Sequence, residues 1–442
     1  MKPIRLLIAA VVLAGLGGAV WWSNKDEAAK EAKPPVDTTP KILGLTATDI
    51  QGIEIHQRAG DVTTVLKRDG AGKWSITAPK PLAADQNAVE SLTSASNLHG
   101  DRTLEDNGGD LASYGLAPPV LSVAFTDKSG KTTKLLVGEA TPTNTDVYAK
   151  LDGDPHVYTM LSSHRVELDR SSKDLREKHL LLWEADKISS LEVAAKGETI
   201  VFGRTGDNNW QILKPKVLRA DNAAVEGVTQ KVRDATMDAD AAEKDAAKSA
   251  TGFAGAQPVA TIRITDPSGQ KTLEIRKNKD DCYAKSSMLE GVYKANKDLC
   301  DGLDKTLDAY RNKKLFDFSF SDPSKIEFKD GAKTVTYEKS GDPWKSAGKT
   351  MDSVGIQNLI DKLRDVSASK LVDTGFTTST IEIGVVAGKF NEKVQLSTNN
   401  GMFFAHRDGD MTTYQVEPTT VADLRSAANG IQPAPDKKQD KK

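Results

Sequence analysis

The chain has 442 residues, of which 38% are hydrophobic and 28% are charged, a composition typical of a globular protein too long for one core. Its 60 Lys and Arg residues nearly balance its 62 Asp and Glu residues, so that the formal net charge is -2 at pH 7. This balance excludes the strongly basic surface typical of nucleic-acid binding, and we predict no nucleic-acid partner.

The N-terminal region contains an uninterrupted apolar stretch, residues 6–22. About 17 residues at ~1.5 Å of rise per residue form a helix roughly 26 Å long, at the short limit for a membrane span. Gly17-Gly18-Ala19 could serve as a signal-peptide cleavage site. Trp21 and Trp22, however, fit the interfacial aromatic belt of a membrane helix. We therefore predict that residues 1–22 are a retained signal-anchor, or transmembrane helix.

This anchor predicts where the rest of the chain lies. A short N-terminal signal-anchor normally leaves the following chain outside, so we expect a single-pass protein of the inner (cytoplasmic) membrane with its body in the periplasm or cell exterior. Residues 23–44 are charged and contain prolines, as is typical of a linker. Residues 431–442 end in a run of Lys and Asp and are predicted to be a disordered charged tail.

Three diverged copies of one unit account for the remaining sequence, and we place them at residues 45–181, 182–315 and 316–430. Each copy begins with two predicted strands, after which a turn leads to a tryptophan. These residues are Trp74, Trp210 and Trp344. A ligand site seldom recurs at the same place in every copy, so their recurrence favours a role in core packing.

A helix is predicted after each tryptophan, with an aspartate as its N-cap: Asp85, Asp221 and Asp352. A side-chain oxygen at this position accepts hydrogen bonds from the free N–H groups of the first helical turn. Apolar residues follow four and seven positions later, for example Val89 and Leu92, and therefore share one helical face. The recurring aspartates could also be proposed as catalytic acids, but capping explains them without any chemistry.

The second half of each copy has a pattern typical of antiparallel strands. Alternating segments flank turns of the type Asp-x-Ser-Gly at residues 127–130 and 266–269. We therefore predict an α+β fold: three tandem diverged repeats of antiparallel sheet with packed helices, behind an N-terminal membrane anchor. Apolar residues at the two junctions, 180–183 and 315–316, favour packing between consecutive copies.

Three segments of the first copy resemble the bacterial domain-of-unknown-function family 4340: Gly72-Lys73-Trp74, Tyr114-Gly115-Leu116-Ala117-Pro118-Pro119 and Leu175-Arg176-Glu177-Lys178-His179-Leu180-Leu181. The second copy has Gly252-Phe253-Ala254-Gly255-Ala256-Gln257-Pro258 in place of the second segment, and the third keeps only Thr374-Gly375-Phe376. The resemblance covers residues ~45 to ~430. It implies a membrane-anchored extracytoplasmic protein, often encoded near gliding-type ABC transporter components. It therefore implies such components, or other envelope proteins, as partners, and it brings no catalytic residue.

Sequence motifs for catalysis or cofactor binding are weak. The six histidines are scattered and lack the spacing of metal ligands. Ser367-Ala368-Ser369-Lys370 fits a Ser-x-x-Lys pattern, but the first copy has Asn97 in place of the lysine, which favours a structural helix end. Asp152-Gly153-Asp154 and Asp408-Gly409-Asp410 lack the other carboxylates of a calcium loop and are predicted to be turns. We predict no catalytic residue, no cofactor and no metal.

The two cysteines, Cys282 and Cys300, both lie in the second copy, on a predicted strand and on the helix that follows it. In an oxidising compartment they are expected to form a disulfide, and two buried free thiols are the alternative.

Together, these features predict an anchored scaffold or interaction protein and not an enzyme. The family resemblance implies that it is an accessory to an envelope ABC transport system. Two alternatives remain. One is a cell-envelope hydrolase or transferase whose site is assembled from residues far apart in the sequence. The other is a glycan- or peptide-binding module that uses the tryptophans and tyrosines.

Overall fold

The structure, a computed structural model, describes residues 39–104, 109–339 and 341–435. The predicted anchor over residues 1–22 lies outside the described residues, as do most of the linker and the last residues of the tail. The described ends of both segments are folded, since Lys41–Gly44 is a strand and Ile431 is buried in a core, so the predicted bounds of the linker and the tail need correction. Within the described ranges, no helix is both long and apolar enough to cross a membrane.

The chain divides into two compact units, Met1–Lys178 and His179–Lys442. One large antiparallel sheet lies in the first unit and two lie in the second, and each of these sheets has its own hydrophobic core. The division after Lys178 lies slightly before the predicted boundary after residue 181.

Strands and helices are numbered here along the chain. The strands of the first unit are β1 Lys41–Gly44, β2 Ile50–Gln57, β3 Val62–Arg68, β4 Trp74–Ala78, β5 Leu82–Ala83, β6 Asn97–His99, β7 Arg102–Thr103, β8 Leu121–Asp127, β9 Thr132–Ala140, β10 Asp146–Leu151 and β11 Tyr158–Leu161. Its helices are α1 Gln86–Ser94, α2 Ser162–Leu168 and α3 Ser172–Leu175, with a 3-10 turn at Ala47–Asp49. β1 pairs with β6, and the other nine strands form one sheet in the order β5-β4-β3-β2-β8-β9-β10-β11-β7.

The second unit begins with an eight-stranded sheet. Its strands are β12 Ser190–Ala195, β13 Glu198–Arg204, β14 Trp210–Lys214, β15 Leu218–Arg219, β16 Gln257–Asp266, β17 Gly269–Asn278, β18 Asp281–Ser286 and β19 Tyr293–Ala295. The helices are α4 Asn222–Arg233, α5 Ala239–Lys244 and α6 Ala246–Ala254, with 3-10 turns at Ala185–Lys187, Lys297–Cys300 and Leu307–Tyr310. The order in the sheet is β15-β14-β13-β12-β16-β17-β18-β19.

The rest of the second unit is a nine-stranded sheet with two long helices. Its strands are β20 Lys325–Asp330, β21 Lys333–Lys339, β22 Trp344–Ser346, β23 Lys349–Thr350, β24 Lys370–Val372, β25 Ile381–Ala387, β26 Phe390–Asn399, β27 Met402–Arg407 and β28 Thr413–Val416. The helices are α7 Ser353–Asp365 and α8 Pro418–Gly430. The order is β23-β22-β21-β20-β25-β26-β27-β28-β24.

The three large sheets share one topology. Each consists of two antiparallel meanders, and the first strand of each meander lies at the centre of the sheet, in the pairs β2–β8, β12–β16 and β20–β25. The second sheet differs at its edge: α5 and α6 are inserted there, and a single bridge between Met237 and Ala295 stands where the other sheets have a ninth strand. Antiparallel sheets with packed helices are the architecture that an α+β fold requires.

The recurring tryptophans and aspartates have the same place in all three sheets. Trp74, Trp210 and Trp344 begin β4, β14 and β22, and their side chains are buried in the three cores. The side chains of Asp85, Asp221 and Asp352 are the N-caps of α1, α4 and α7, accepting main-chain N–H bonds of 2.9–3.3 Å. These bonds fix the residue at which each helix begins.

The apolar residues at the junctions fill the core of the sheet that follows them. Leu180 and Leu181 belong to the core of the second sheet, and Leu315 and Phe316 belong to the core of the third. Burial within a core is enough to explain their apolar character, so these residues are not by themselves evidence for packing between copies.

The predicted disulfide is present. Cys282 on β18 is joined to Cys300, the last residue of the 3-10 turn after β19, and both residues are buried.

The Tyr114-Gly115-Leu116 segment of the first copy lies directly against β9. The carbonyl oxygen of Tyr114 accepts a hydrogen bond of 2.9 Å from the N–H of Glu139. This bond brings the two main chains so close that a Cβ atom on Gly138 would lie 2.1 Å from the same oxygen. Residue 138 must therefore be glycine for a packing reason.

We expect the substitution Gly138→Ala to lower the melting temperature of the first unit by on the order of 5 °C, because a main-chain oxygen cannot move aside as a side chain can. Gly70→Ala is the matched control, since nothing lies within 4 Å of the position of its Cβ. Thermal unfolding followed by circular dichroism measures both. Equal melting temperatures for the two variants would contradict the close approach.

Candidate functional site

A cleft of about 970 Å³ lies between the second and third sheets, both of which belong to the second unit. On one side it is lined by the β13–β14 turn, β14 and the start of α4. On the other side it is lined by the segment of residues 312–321, the end of α7 and the start of β26. We refer to this space as the cleft.

A chain of charged groups crosses from the second sheet to the third beside the cleft. Arg219, at the end of β15, donates hydrogen bonds to the carboxylate of Asp317 and, at 2.9 Å, to the carbonyl oxygen of Lys314. Arg407, on β27, also pairs with Asp317, at 2.9 Å, and pairs with Glu392 at 2.7 Å. The four side chains of Arg219, Asp317, Arg407 and Glu392 form what we call the ionic cluster.

Glu392 is the most deeply placed carboxylate of the ionic cluster, with only 10% of its side chain exposed. Besides pairing with Arg407, it accepts hydrogen bonds of 2.8–2.9 Å from the main-chain N–H groups of Asp317 and Phe318. A buried carboxylate is costly unless its lone pairs are satisfied, and here they are. The cluster therefore fixes the path of the main chain where it enters the third sheet.

The ionic cluster is extended by a tyrosine and an aspartate of the third sheet. The hydroxyl of Tyr414 donates to Asp410 at 2.5 Å and accepts from Arg219 at 2.9 Å. Burial raises the pKa of Tyr414 to about 12, although the nearby charge of Arg219 opposes this. Burial would by itself raise the pKa of Asp410, but the hydrogen bonds from Tyr414 and Thr412 outweigh it and hold that pKa below its usual value.

The pKa of Arg219 is raised as well. Burial alone would lower this pKa, but the nearby negative charge of Asp317 raises it by more than desolvation lowers it. Arg219 is therefore a permanent cation that links the second sheet to the third.

One wall of the cleft is aromatic. Phe316 and Phe318 are buried, with their rings edge to face at 6.0 Å, while Phe320 is 92% exposed and Phe390 is half-buried. The guanidinium of Arg364 donates to the carbonyl oxygen of Ser319 at 2.7 Å and so fixes the segment that carries Phe320. The ring of Phe320 is therefore presented to solvent at the edge of this wall.

The rim of the cleft is crossed by an exposed ion pair. Asp207, in the β13–β14 turn, and Lys389, in the β25–β26 turn, lie 2.5 Å apart, and more than half of each side chain is exposed. Such a pair contributes about 0–1 kcal/mol, so it can separate at little cost when a ligand enters.

The cleft is lined by both polar and apolar groups. Its ionic groups are engaged with one another, and it offers aromatic rings and main-chain groups. Among the described residues, no group of three or more His, Cys, Asp or Glu side chains is arranged to hold a metal ion.

The model of the family "Domain of unknown function (DUF4340)" matches residues 74–216 and 210–382, which together make up more than half of the chain. The chain belongs to the DUF4340 family. Each DUF4340 match begins at a recurring tryptophan, Trp74 or Trp210, and so begins with β4 or β14. The DUF4340 sequence unit is therefore offset from the sheets, since it starts within one sheet and ends within the next. No curated protein and no solved structure matches the chain.

The fold does not bring together most of the residues that the sequence suggested as sites. The three recurring tryptophans lie in three separate cores, and Trp210 also lines the cleft. The hydroxyl of Ser367 donates to the carbonyl oxygen of Asp365 at 3.3 Å, just after α7 ends.

The two Asp-Gly-Asp segments are turns. Their central residues, Gly153 and Gly409, have φ values of 83° and 76°. Asp154 accepts hydrogen bonds from His156 and Tyr158, and Asp410 accepts from Tyr414. Asp410 is thus the one residue of these two segments that joins the ionic cluster.

No recurring pattern marks Arg219, Asp317, Glu392 and Arg407, so the sequence did not predict the ionic cluster. Arg219 stands two positions before the N-cap Asp221, where the first copy has Ala83 and the third has Thr350. Positions at which one copy departs from the others were the signal that could have revealed this cluster.

Tyr310 and Tyr414 provide a matched comparison. Both are almost fully buried, and burial raises the pKa of each to about 12. The hydroxyl of Tyr414 has two charged hydrogen-bond partners, Arg219 and Asp410, whereas that of Tyr310 has none among the described residues. The phenylalanine variants of the two should therefore differ at neutral pH.

At pH 7 we expect Tyr414→Phe to lower the free energy of unfolding by about 1.5–3 kcal/mol, since it removes bonds to charged groups. Tyr310→Phe should leave it unchanged or raise it, because an unpaired buried hydroxyl is removed. Urea unfolding measures both. Equal losses would contradict a role for Tyr414 in the ionic cluster.

The same variants predict the alkaline behaviour. A pKa raised from 10 to about 12 stabilises the fold below pH 10, and this contribution, about 3 kcal/mol for each tyrosine, is lost as the pH rises from 10 to 12. Urea unfolding at pH 10, 11 and 12 should show a smaller loss for Tyr310→Phe than for the unsubstituted protein. An identical pH dependence would contradict the burial of an unionised Tyr310.

Proposed function

We propose that this protein is an extracytoplasmic interaction protein, held at the inner membrane by residues 1–22, that binds a partner protein in the cleft. The observation that carries the proposal is the aromatic wall of the cleft, with an exposed Phe320 above a set of paired charges. Three tandem repeats behind an anchor would serve as the scaffold that presents this surface.

The disulfide between Cys282 and Cys300 supports the extracytoplasmic location, because such bonds persist in oxidising compartments and are rare in the cytosol. The apolar stretch of residues 6–22 supports attachment to the membrane. Both features agree with an accessory role beside an envelope ABC transport system, which is the partner class we propose.

The structural roles of the recurring residues also support the proposal that the repeats are a scaffold. The three tryptophans fill cores and the three aspartates cap helices, so the features common to all copies serve the fold. The side chains that depart from the repeat, such as Arg219, lie at the cleft. Binding at one place on a repeated scaffold accounts for this division.

The location is tested with a phosphatase fused after Lys442 and with the mass of the mature N-terminus. We expect phosphatase activity on the periplasmic side and a chain that still contains residues 1–22. An inactive phosphatase in the cytoplasm would contradict the location, and a mature chain beginning near Val20 would contradict the anchor.

The partner is tested by quantitative co-purification from solubilised membranes. We expect Phe320→Asp to reduce recovery of ABC transporter components by about tenfold or more, because it places a charge on the aromatic wall. Val354→Asp is the matched control, since Val354 is 74% exposed on α7 and does not line the cleft. Equal recovery with both variants and with the unsubstituted protein would contradict binding in the cleft.

A further inference from the structure

We infer that the disulfide between Cys282 and Cys300 gates the assembly of the cleft, so that the cleft forms only after the two thiols have been oxidised. As a regulation of binding, this inference rests on the proposed function. It concerns residues 311–317, which lead from the second sheet to the third and which we call the connector. The connector ends with Asp317, a carboxylate of the ionic cluster.

The disulfide lies where the other two copies have a helix. In the first and third copies, β11 and β28 lead into α2 and α8, and α8 buries four side chains in its core. In the second copy, β19 leads into a 3-10 turn of four residues, Lys297–Cys300, which buries two. The bond from Cys300 to Cys282 on β18 therefore provides an attachment that packing alone provides in the third copy.

The segment that follows the disulfide, residues 301–310, has few other attachments to the sheet. Its buried side chains are those of Leu303 and Tyr310. Asp301 pairs with Lys277 at 2.9 Å and Asp304 with Lys196 at 2.8 Å, and more than 40% of each of these side chains is exposed. Exposed ion pairs contribute little to stability. We therefore expect this segment to detach when the covalent bond is absent.

This segment in turn positions the connector. The main-chain N–H of Asp221 donates to the carbonyl oxygen of Tyr310 at 2.8 Å, and that of Asn312 donates to the carbonyl oxygen of Arg219 at 3.0 Å. The side chain of Asn312 also donates to the carboxylate of Asp317 at 3.2 Å. Detachment of residues 301–310 breaks the bond at Tyr310 and frees the start of the connector. Arg219 and Asp317 then lose the alignment that defines the cleft.

The bond forms by exchange with the disulfide of a protein oxidant. The thiolate of one cysteine attacks a sulfur of that disulfide, which forms a mixed disulfide and releases the other sulfur of the oxidant as a thiolate. The thiolate of the second cysteine then attacks the mixed disulfide and releases the remaining sulfur of the oxidant. Two electrons and two protons thus pass from this protein to the oxidant, which leaves as a dithiol.

Burial gives the gate a direction. Cys282 and Cys300 are 1% and 5% exposed in the folded protein, so a reductant has poor access to the finished bond. Oxidation during folding is therefore followed by burial of the product. Because disulfides form in oxidising compartments, the assembled cleft is restricted to chains that have reached such a compartment.

The test is hydrogen exchange, followed by mass spectrometry, on the full chain in detergent. It compares the oxidised protein with the double variant Cys282→Val and Cys300→Ala, since the first copy has the buried Val147 at the place of Cys282. We expect the amides of residues 297–314 to exchange at least about tenfold faster in the variant. The central strands β12 and β16 and the helix α7 should stay protected.

The unsubstituted protein separates the effect of the bond from that of the substitutions. Refolded in a dithiol reductant, it should exchange as the variant does, and a disulfide oxidant should restore the protection. Unchanged exchange of residues 297–314 would overturn the inference. So would loss of protection throughout the second sheet, because the bond would then stabilise the whole sheet and not the connector.

Co-purification distinguishes this inference from the proposed function. We expect the double variant to recover ABC transporter components at least about tenfold less well than the unsubstituted protein. Faster exchange of the connector with undiminished recovery would keep the gate and contradict binding in the cleft. Unchanged exchange, together with the loss of recovery expected for Phe320→Asp, would leave the proposed function standing and overturn the gate.

Discussion

Each sheet depends on one antiparallel pairing at its centre, between strands that are far apart in the sequence. β2 pairs with β8, β12 with β16 and β20 with β25, so that the chain must complete a first meander and a helix before the pair can form. The paired side chains are buried and apolar, as with Ile53 opposite Phe125 and Leu191 opposite Ile264. Burial of these side chains stabilises the central strand pair, although closing the long loop between its two strands is entropically unfavourable.

The rest of each copy follows from this pairing. A sheet with one apolar face needs a cover, and the capped helix after the tryptophan strand provides it with residues such as Val89 and Leu92. The N-cap aspartates fix where these helices begin. In the second unit, Arg219 stands two positions before the N-cap Asp221 and pairs with Asp317.

The ionic cluster illustrates how a repeated fold acquires one specific surface. A buried set of charges contributes little net stability, because desolvation offsets the attraction, but it is satisfied in only one geometry. The two arginines and two carboxylates therefore define how the second sheet meets the third, and the cleft with its aromatic wall is a consequence of that geometry. The positions that build it differ from copy to copy, as expected if binding was added to a scaffold that was already stable.

The sequence by itself determined the features that depend on near neighbours. The strand and helix order, the caps at Asp85, Asp221 and Asp352 and the hairpin turns follow from residues within a few positions of one another. The disulfide was predicted from two cysteines in a single copy together with the expected oxidising compartment.

Only the tertiary structure decided the cleft. Arg219, Asp317, Glu392 and Arg407 are separated by up to almost two hundred residues, and no spacing rule relates them. Each looks like an ordinary surface charge until the third sheet is placed beside the second. The junction residues Leu315 and Phe316 show the same limit of prediction from sequence. Their apolar side chains predict burial, but they do not predict in which core the side chains are buried. Local sequence patterns depend on interactions between residues a few positions apart. Contacts between residues far apart in the sequence are set only when the chain folds.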